Sequence, residues 1–168
     1  MEFLARRRVA LGAATAIAAL VLARPTWSSW SAGVVVAVIG EGVRVWAAGH
    51  LEKSREVTTS GPYRWTRHPL YVGSTILALG IVVAARSYVL GALAALYVGT
   101  TIPAAIRSEE AFLRRTFGDA YDRYARAEHA GVGRRFSLER ARRNKEYRAV
   151  LGTAAGFTFL ALRLLLHL

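Results

Sequence analysis

The chain has 168 residues, 54% of them hydrophobic, with a mean hydropathy of +0.27 and 23 Lys and Arg against 11 Asp and Glu. This length suits one domain, and so apolar a composition suits helices buried in lipid. It has no cysteine, which excludes disulfides, thiolate metal sites and a cysteine nucleophile; His50, His68, His129 and His167 show no metal-ligand spacing.

Five apolar runs follow along the chain. The first, VALGAATAIAALVLA at 9–23, comes after Arg6, Arg7 and Arg8. A cleavable signal peptide ending at Ala23 has this look, but Arg24-Pro25 and the later runs favour an uncleaved helix with Trp27 and Trp30 at the far interface. The second, SAGVVVAVIG at 31–40, continues to Ala48 and contains Glu41 and Arg44. The third and fourth, at 69–85 and 88–106, are joined by Arg86-Ser87, a tight turn that predicts an antiparallel hairpin. Continuous helix is expected from Tyr88 to Phe117, with Pro103 as the place for a kink. Gly118 reads as its stop and Asp119 as the cap of a polar helix, AYDRYARA.

Gly131-Val132-Gly133 marks the nearest thing to a boundary. Beyond it FSLERARRNKEYR, at 136–148, reads as a basic amphipathic helix lying on the membrane and orienting the fifth run, 149–168. Arg163 near that run's outer end is expected to snorkel. A span needs about 20 apolar residues, a test the last three runs meet well. The expectation is an all-α integral membrane protein, one domain over 1–168, with about five transmembrane helices and a cytoplasmic helical cap.

The charge agrees with this topology. Basic residues gather before the first run, between the second and third (Lys53, Arg55, Arg64, Arg67), and over 107–148. With five spans these blocks share one side, which places the amino terminus and the 107–148 segment in the cytoplasm and the carboxyl terminus outside the cytoplasmic membrane. Topology and anionic headgroups account for the basic balance, and no stacking motif points to nucleic acid.

Two polar clusters flank the hairpin, whose turn must bring them together. In the first, GPYRWTRHPLYVG, Gly61-Pro62 is a turn signal and Pro69 suits the first turn of a helix. The proline pushes His68 out of helical conformation. Arg67 and His68 therefore stand at a helix amino terminus, a place that favours a carboxylate or phosphate. Gly73, one turn in, leaves room for close approach.

The second cluster is Glu109-Glu110, two acids at the membrane boundary that need different partners and are functional candidates. Surface pairing with Arg107, Arg114 or Arg115 is their structural reading. Together the clusters offer sites for a carboxylate, a cation and a sugar diol, all present in S-adenosylmethionine. Glu41 and Arg44, three apart in the second span, have two readings: a neutralising pair facing the bundle, or groups orienting an acceptor's polar head. His50 at that span's end reads as a base or as an interfacial histidine.

The two stretches resemble the isoprenylcysteine carboxyl methyltransferase-like family of integral membrane methyltransferases, itself related to phospholipid methyltransferases. GPYRWTRHPLYVG carries its RHPxYxG signature, and SEEAFLRRTFGDAYDRYARA is similar to its EExxLxxxFGxxYxxY segment. The likeness covers about residues 40–148. It implies S-adenosylmethionine bound between the stretches under a cytoplasmic cap, with a lipid-side opening for a lipophilic acceptor, isoprenylcysteine carboxylate-like or phospholipid-like. By position it assigns cofactor binding to Arg67, His68, Pro69, Tyr71, Gly73, Glu109 and Glu110, with Tyr121 and Tyr124 in the cap. A nicotinamide-dependent membrane reductase of related fold and a non-catalytic lipid-binding protein are the alternatives.

Overall fold

The structure is a computed structural model that describes residues 22–128 and 133–166. The first apolar run as far as residue 21, Arg6, Arg7 and Arg8, the Gly131-Val132 boundary, His129 and His167 lie outside the described residues. The described part is all-helical: α1 (Trp27–His50), a 3-10 turn (Gly61–Arg64), α2 (Pro69–Ala85), α3 (Tyr88–Phe117), α4 (Asp119–Ala125), α5 (Leu138–Arg143) and α6 (Tyr147–Leu165). Helices α1, α3 and α6 are long and apolar enough to cross a membrane, and α2 is a shorter apolar helix of 17 residues. The chain is an integral membrane protein.

Helix α1 begins at a capping box. The Thr26 hydroxyl accepts from the Ser29 N–H at 3.1 Å, and the Ser29 hydroxyl accepts from the Thr26 N–H at 2.9 Å. Small residues then recur along one face, Gly33, Ala37 and Gly40, opposite Gly73, Gly80 and Ala84 of α2. A methyl group placed on Gly33 would lie 2.5 Å from the Ala84 Cβ, and one on Gly40 would lie 2.5 Å from the Leu77 nitrogen. The two backbones are therefore in direct contact, the arrangement by which helices associate in lipid, where apolar surface alone supplies no drive.

Helix α6 joins this pair near the start of α1, where Trp30 Nε1 donates to the Phe157 carbonyl at 2.9 Å. Arg163, expected to snorkel, donates instead to the Ala23 carbonyl at 3.1 Å, which holds the segment before α1 against the bundle.

Arg86 takes a left-handed conformation (φ 50°, ψ 42°) and Ser87 caps α3, so the expected tight turn is present. Of α3 only Leu90 is buried. The two helices of the hairpin touch near the turn, where Gly91 meets Val82, and diverge beyond it. Thirty residues at 1.5 Å each make α3 about 45 Å long, well over the hydrocarbon thickness. It runs unbroken past Pro103, so its last turns leave the membrane on the side where α2 begins. Gly118 both ends α3 and caps α4, and Asp119 sits one place further on, in the first turn of α4.

The basic segment 136–148 differs from expectation. It is a six-residue helix, α5, followed by a break at Lys145 (φ 62°) before α6 starts at Tyr147. The break has a cause on each side: the Asn144 amide is turned onto α1, donating to the carbonyls of Ala48 and Leu51 at 2.8 and 2.9 Å, and Glu146 is buried against Arg44.

The glycine contact sets a clear expectation. Gly40→Val should lower stability in detergent by about 2 kcal/mol or more, because the clash is with backbone and cannot relax by rotamer change. Gly42→Ala, where nothing lies within 4 Å, should be neutral or slightly stabilising. Thermal unfolding of both proteins in the same detergent checks the pair.

Candidate functional site

The end of the α2–α3 pair opposite the Arg86 turn gathers charge. Pro69 is the first residue of α2 and His68 its cap, at φ −132° and ψ 54°, outside the helical region as a residue before proline must be. From α3, Glu110 reaches back across the gap. Its Oε1 lies 3.1 Å from His68 Nε2 and 3.2 Å from an Arg67 guanidinium nitrogen, and its Oε2 lies 3.5 Å from Arg114. One carboxylate thus gathers an imidazole and two guanidinium groups. The other imidazole nitrogen, Nδ1, is buried without a hydrogen bond, 3.9 Å from the carboxylate of Glu109.

The cap supports this cluster from above. Tyr121 is fully buried, with the Arg114 guanidinium 5.4 Å from its ring centre and the Tyr124 ring at 6.1 Å. The Tyr124 hydroxyl donates to the Tyr63 carbonyl at 2.9 Å, pinning α4 to the 3-10 turn. Burial raises the phenols of Tyr63, Tyr124 and Tyr121 above their ordinary value, with neighbouring carboxylates and the adjoining tyrosine ring adding to it, so all three stay neutral.

A cavity of about 640 Å³ opens beside the cluster, within the range of small-molecule sites. Arg67, His68, Pro69, Tyr71, Glu109 and Tyr124 line it, as does Arg44 from α1. Leu70 and Ser74 of α2 face Ala105, Ser108 and Phe112 of α3 across its deeper part, where the two helices diverge. Tyr63, Leu113 and Arg115 also line the cavity, and a further wall is the loop 51–58, with Glu52, Lys53 and Glu56.

That loop is held from a distance. The carbonyls ending α1 lack helical partners, and the segment 134–144 satisfies them. Besides Asn144, the Ser137 N–H and Arg140 donate to Gly49, and Arg134 donates to the His50 carbonyl at 3.4 Å. Cations at a helix carboxyl end also meet its dipole favourably. Glu52 then accepts from Arg140 Nε at 2.7 Å and from Arg143 at 3.0 Å, while Glu56 pairs with Arg134 at 2.6 Å. The Phe136 ring lies over Gly49, where a side chain would collide with it at 2.2 Å. The segment expected to lie on the membrane is therefore docked on the end of α1.

The residues singled out in the sequence divide into two groups. Glu110 and Tyr121 stand behind the cavity wall and orient what lines it. Gly73, expected to admit a ligand, admits α1: a methyl there would meet Arg44 Cγ at 2.6 Å and the Gly40 carbonyl at 2.7 Å. His50 is buried under Gly61, whose φ of 56° brings the backbone onto the ring, and its Nδ1 lies 3.0 Å from the Ser60 hydroxyl. It is a structural residue away from the cavity.

Glu41 is buried and accepts from Thr153 of α6 at 3.4 Å. The partner of Arg44 is Glu146, at 2.7 Å, because α6 starts beside it. Ser74, Glu52, Arg140 and Glu146 had not been singled out. Their roles depend on contacts between distant segments, and the one sequence signal for them was acids facing the basic 134–143 stretch.

The cavity between the apolar helices, with its charged rim and α4 closing over one side, is the candidate site. The family model described as phospholipid methyltransferase matches residues 9–120, and the chain belongs to that family. It is 41% identical over 96 residues to the nickel-cobalt-cadmium resistance protein NccN of Alcaligenes xylosoxydans xylosoxydans, which covers 56% of this chain and 43% of that protein. With the cobalt-zinc-cadmium resistance protein CzcN of Cupriavidus metallidurans the identity is 38% over 96 residues and the coverage the same. A probable protein-S-isoprenylcysteine O-methyltransferase of Oryza sativa subsp. indica is 33% identical over 118 residues, 63% of this chain and 62% of that protein. The chain thus spans less than two thirds of each of these relatives. No solved structure matches.

The clamp on the loop is testable through its acid. Arg140, by its hydrogen bond first, and then Arg143 hold Glu52 below the ordinary carboxylate range. A depressed folded value contributes stability above the unfolded value of about 4.3 and loses it as pH falls through the folded one. Protection of the 51–58 amides from hydrogen exchange, relative to their intrinsic rates at each pH, should therefore hold at neutral and mildly acid pH and be lost only as pH falls below the unfolded value. Arg140→Gln should lower it at neutral pH, by the equivalent of about 2 kcal/mol.

Proposed function

We propose that the protein is an S-adenosylmethionine-dependent methyltransferase acting on a lipophilic acceptor at the cytoplasmic face of the membrane. The carrying observation is the His68–Glu110–Arg67 cluster, assembled from two separated segments on the rim of a cavity of nucleoside size.

The groups present suit this cofactor. Arg67, at a helix amino terminus and held on one side by Glu110, offers its remaining N–H donors to the α-carboxylate. With Nε2–H donating to Glu110, His68 Nδ1 is a buried acceptor without a partner, suited to the α-ammonium group. Glu109, half exposed on the cavity wall, is free to accept from ribose hydroxyls. The bound cofactor would supply an electrophilic methyl carbon on a sulfonium sulfur. The protein's part is alignment and exclusion of water: a displacement of this kind gains most of its rate from fixed geometry in a dry site.

The acceptor's tail would enter between α2 and α3, where Leu70, Ala105 and Phe112 line the cavity and the lipid-facing helices diverge. No side chain is assigned as a general base. The basic residues at 51–67 and 107–148 share the cavity's side of the membrane, which supports a cytoplasmic orientation.

Titration of detergent-purified protein with S-adenosylhomocysteine, S-adenosylmethionine and NADPH tests this reading. Binding of the two nucleosides is expected, with a loss of tenfold or more in Arg67→Ala and Glu110→Ala, each of which removes a charge-assisted contact. Glu109→Gln should weaken binding less and leave the thermal unfolding temperature unchanged. Binding of NADPH alone would instead indicate a reductase, and binding of none of the three would end the proposal.

A further inference from the structure

The nucleoside of the proposed reaction carries charged groups, so it reaches the cavity from the aqueous side and not through lipid. Most of the wall is helical. Tyr63 in the 3-10 turn and Tyr124 in α4 are joined by a hydrogen bond of 2.9 Å, and Glu109 and Phe112 stand on α3. Two stretches of wall lie outside any helix. Arg67 and His68 are fixed by Glu110, and the other stretch is the loop 51–58.

The loop has little of its own to hold it. Lys53, Ser54, Arg55 and Glu56 are exposed. Inside the loop the Arg55 N–H donates to the Glu52 carbonyl and the Glu52 N–H to the Thr58 hydroxyl, each at a long 3.2 Å. Ser54, on the cavity wall, stands at φ 59°, a left-handed conformation that a residue with a side chain keeps only under outside constraint. The constraint comes from the carboxyl-terminal part of the chain. Arg140 holds one oxygen of Glu52 at 2.7 Å, Arg143 reaches both at 3.0 Å, and Arg134 holds Glu56 at 2.6 Å. A segment with few buried contacts opens locally at low cost, so these charge pairs set how long it stays closed.

We propose that the loop 51–58 is the gate by which the nucleoside enters and leaves the cavity, latched at Glu52 by Arg140 and Arg143. This rests on the methyltransferase reading and adds a route and a control to it. Neither arginine lines the cavity, so the latch holds the bound and the empty protein alike. Breaking it changes how often the gate opens, and hence both rates of exchange, far more than it changes affinity. A segment beyond the 9–120 family stretch thus sets the residence time of the nucleoside.

Rapid filtration with radiolabelled S-adenosylhomocysteine on detergent-purified protein measures both rates. Arg143→Gln removes the two contacts from that side chain to Glu52 and leaves the Gly49 carbonyl with Arg140. It should raise the association and dissociation rates together, each by about tenfold, while Kd stays within about threefold of wild type. A merely loosened site would instead speed dissociation alone and weaken binding.

The chain has no cysteine, so a covalent bridge can be set on the latch alone. Glu52→Cys with Arg143→Cys, joined by a short reducible bis-methanethiosulfonate, should slow entry and exit by about tenfold or more, and thiol should restore both. The bridged protein gives the reading even if Arg143→Gln fails to fold. Exchange unchanged by the bridge, or a rise in dissociation alone in Arg143→Gln, overturns the gate. Absence of nucleoside binding in wild type overturns the methyltransferase reading itself, and the gate with it.

Discussion

The contact on which the rest of the structure depends is backbone against backbone, where α1 crosses α2. Gly33, Ala37 and Gly40 lie against Gly73, Gly80 and Ala84, close enough that an added methyl on any of these glycines would strike the facing backbone. In lipid such contacts are what hold two helices, because apolar side chains find the bilayer as good a solvent as each other. The pair then fixes everything attached to it. It sets the height of Pro69 and so of His68, it brings Arg44 beside Ser74, and it leaves α3 tied to α2 by little more than the turn at one end and an ion cluster at the other. The space between the diverging helices is the cavity. A tightly packed α2–α3 pair would have had none.

Charge in this protein does structural work on both sides of the cavity. Glu110 draws Arg67 and His68 from the segment before α2 onto the extended end of α3, and Arg114 and the tyrosines of α4 close over it. On the far wall, Arg134, Arg140 and Asn144 complete the unsatisfied end of α1 and hold the loop 51–58 through Glu52 and Glu56. This second support comes from residues beyond the 9–120 stretch that marks the family. The rim residues Arg67, His68 and Glu110 lie within that stretch, and the carboxyl-terminal part of the chain supports the wall opposite.

Much of this was legible in the residues. The apolar runs announced helices, Arg86-Ser87 announced the turn, and a turn there forces the clusters at 67–68 and 109–110 together whatever the packing. The division of labour inside the clusters was not legible. Adjacent glutamates look alike in sequence, but successive helix residues point about 100° apart, so Glu110 faces His68 and Glu109 faces the cavity. Gly73 looked like room for a ligand and proved to be room for α1. Glu41 and Arg44 looked like partners by spacing, yet the start of α6 places Glu146 nearer to the guanidinium.

The sequence by itself determined which of the described apolar segments are helical, where the hairpin turns, and that charge gathers at the end of the hairpin opposite that turn, since these follow from local apolar patterning, from proline and glycine, and from chain connectivity. Only the tertiary structure decided which charges are paired away and which face open space. That choice depends on how closely helices distant in the chain approach one another, and a glycine records only that something comes near, not what.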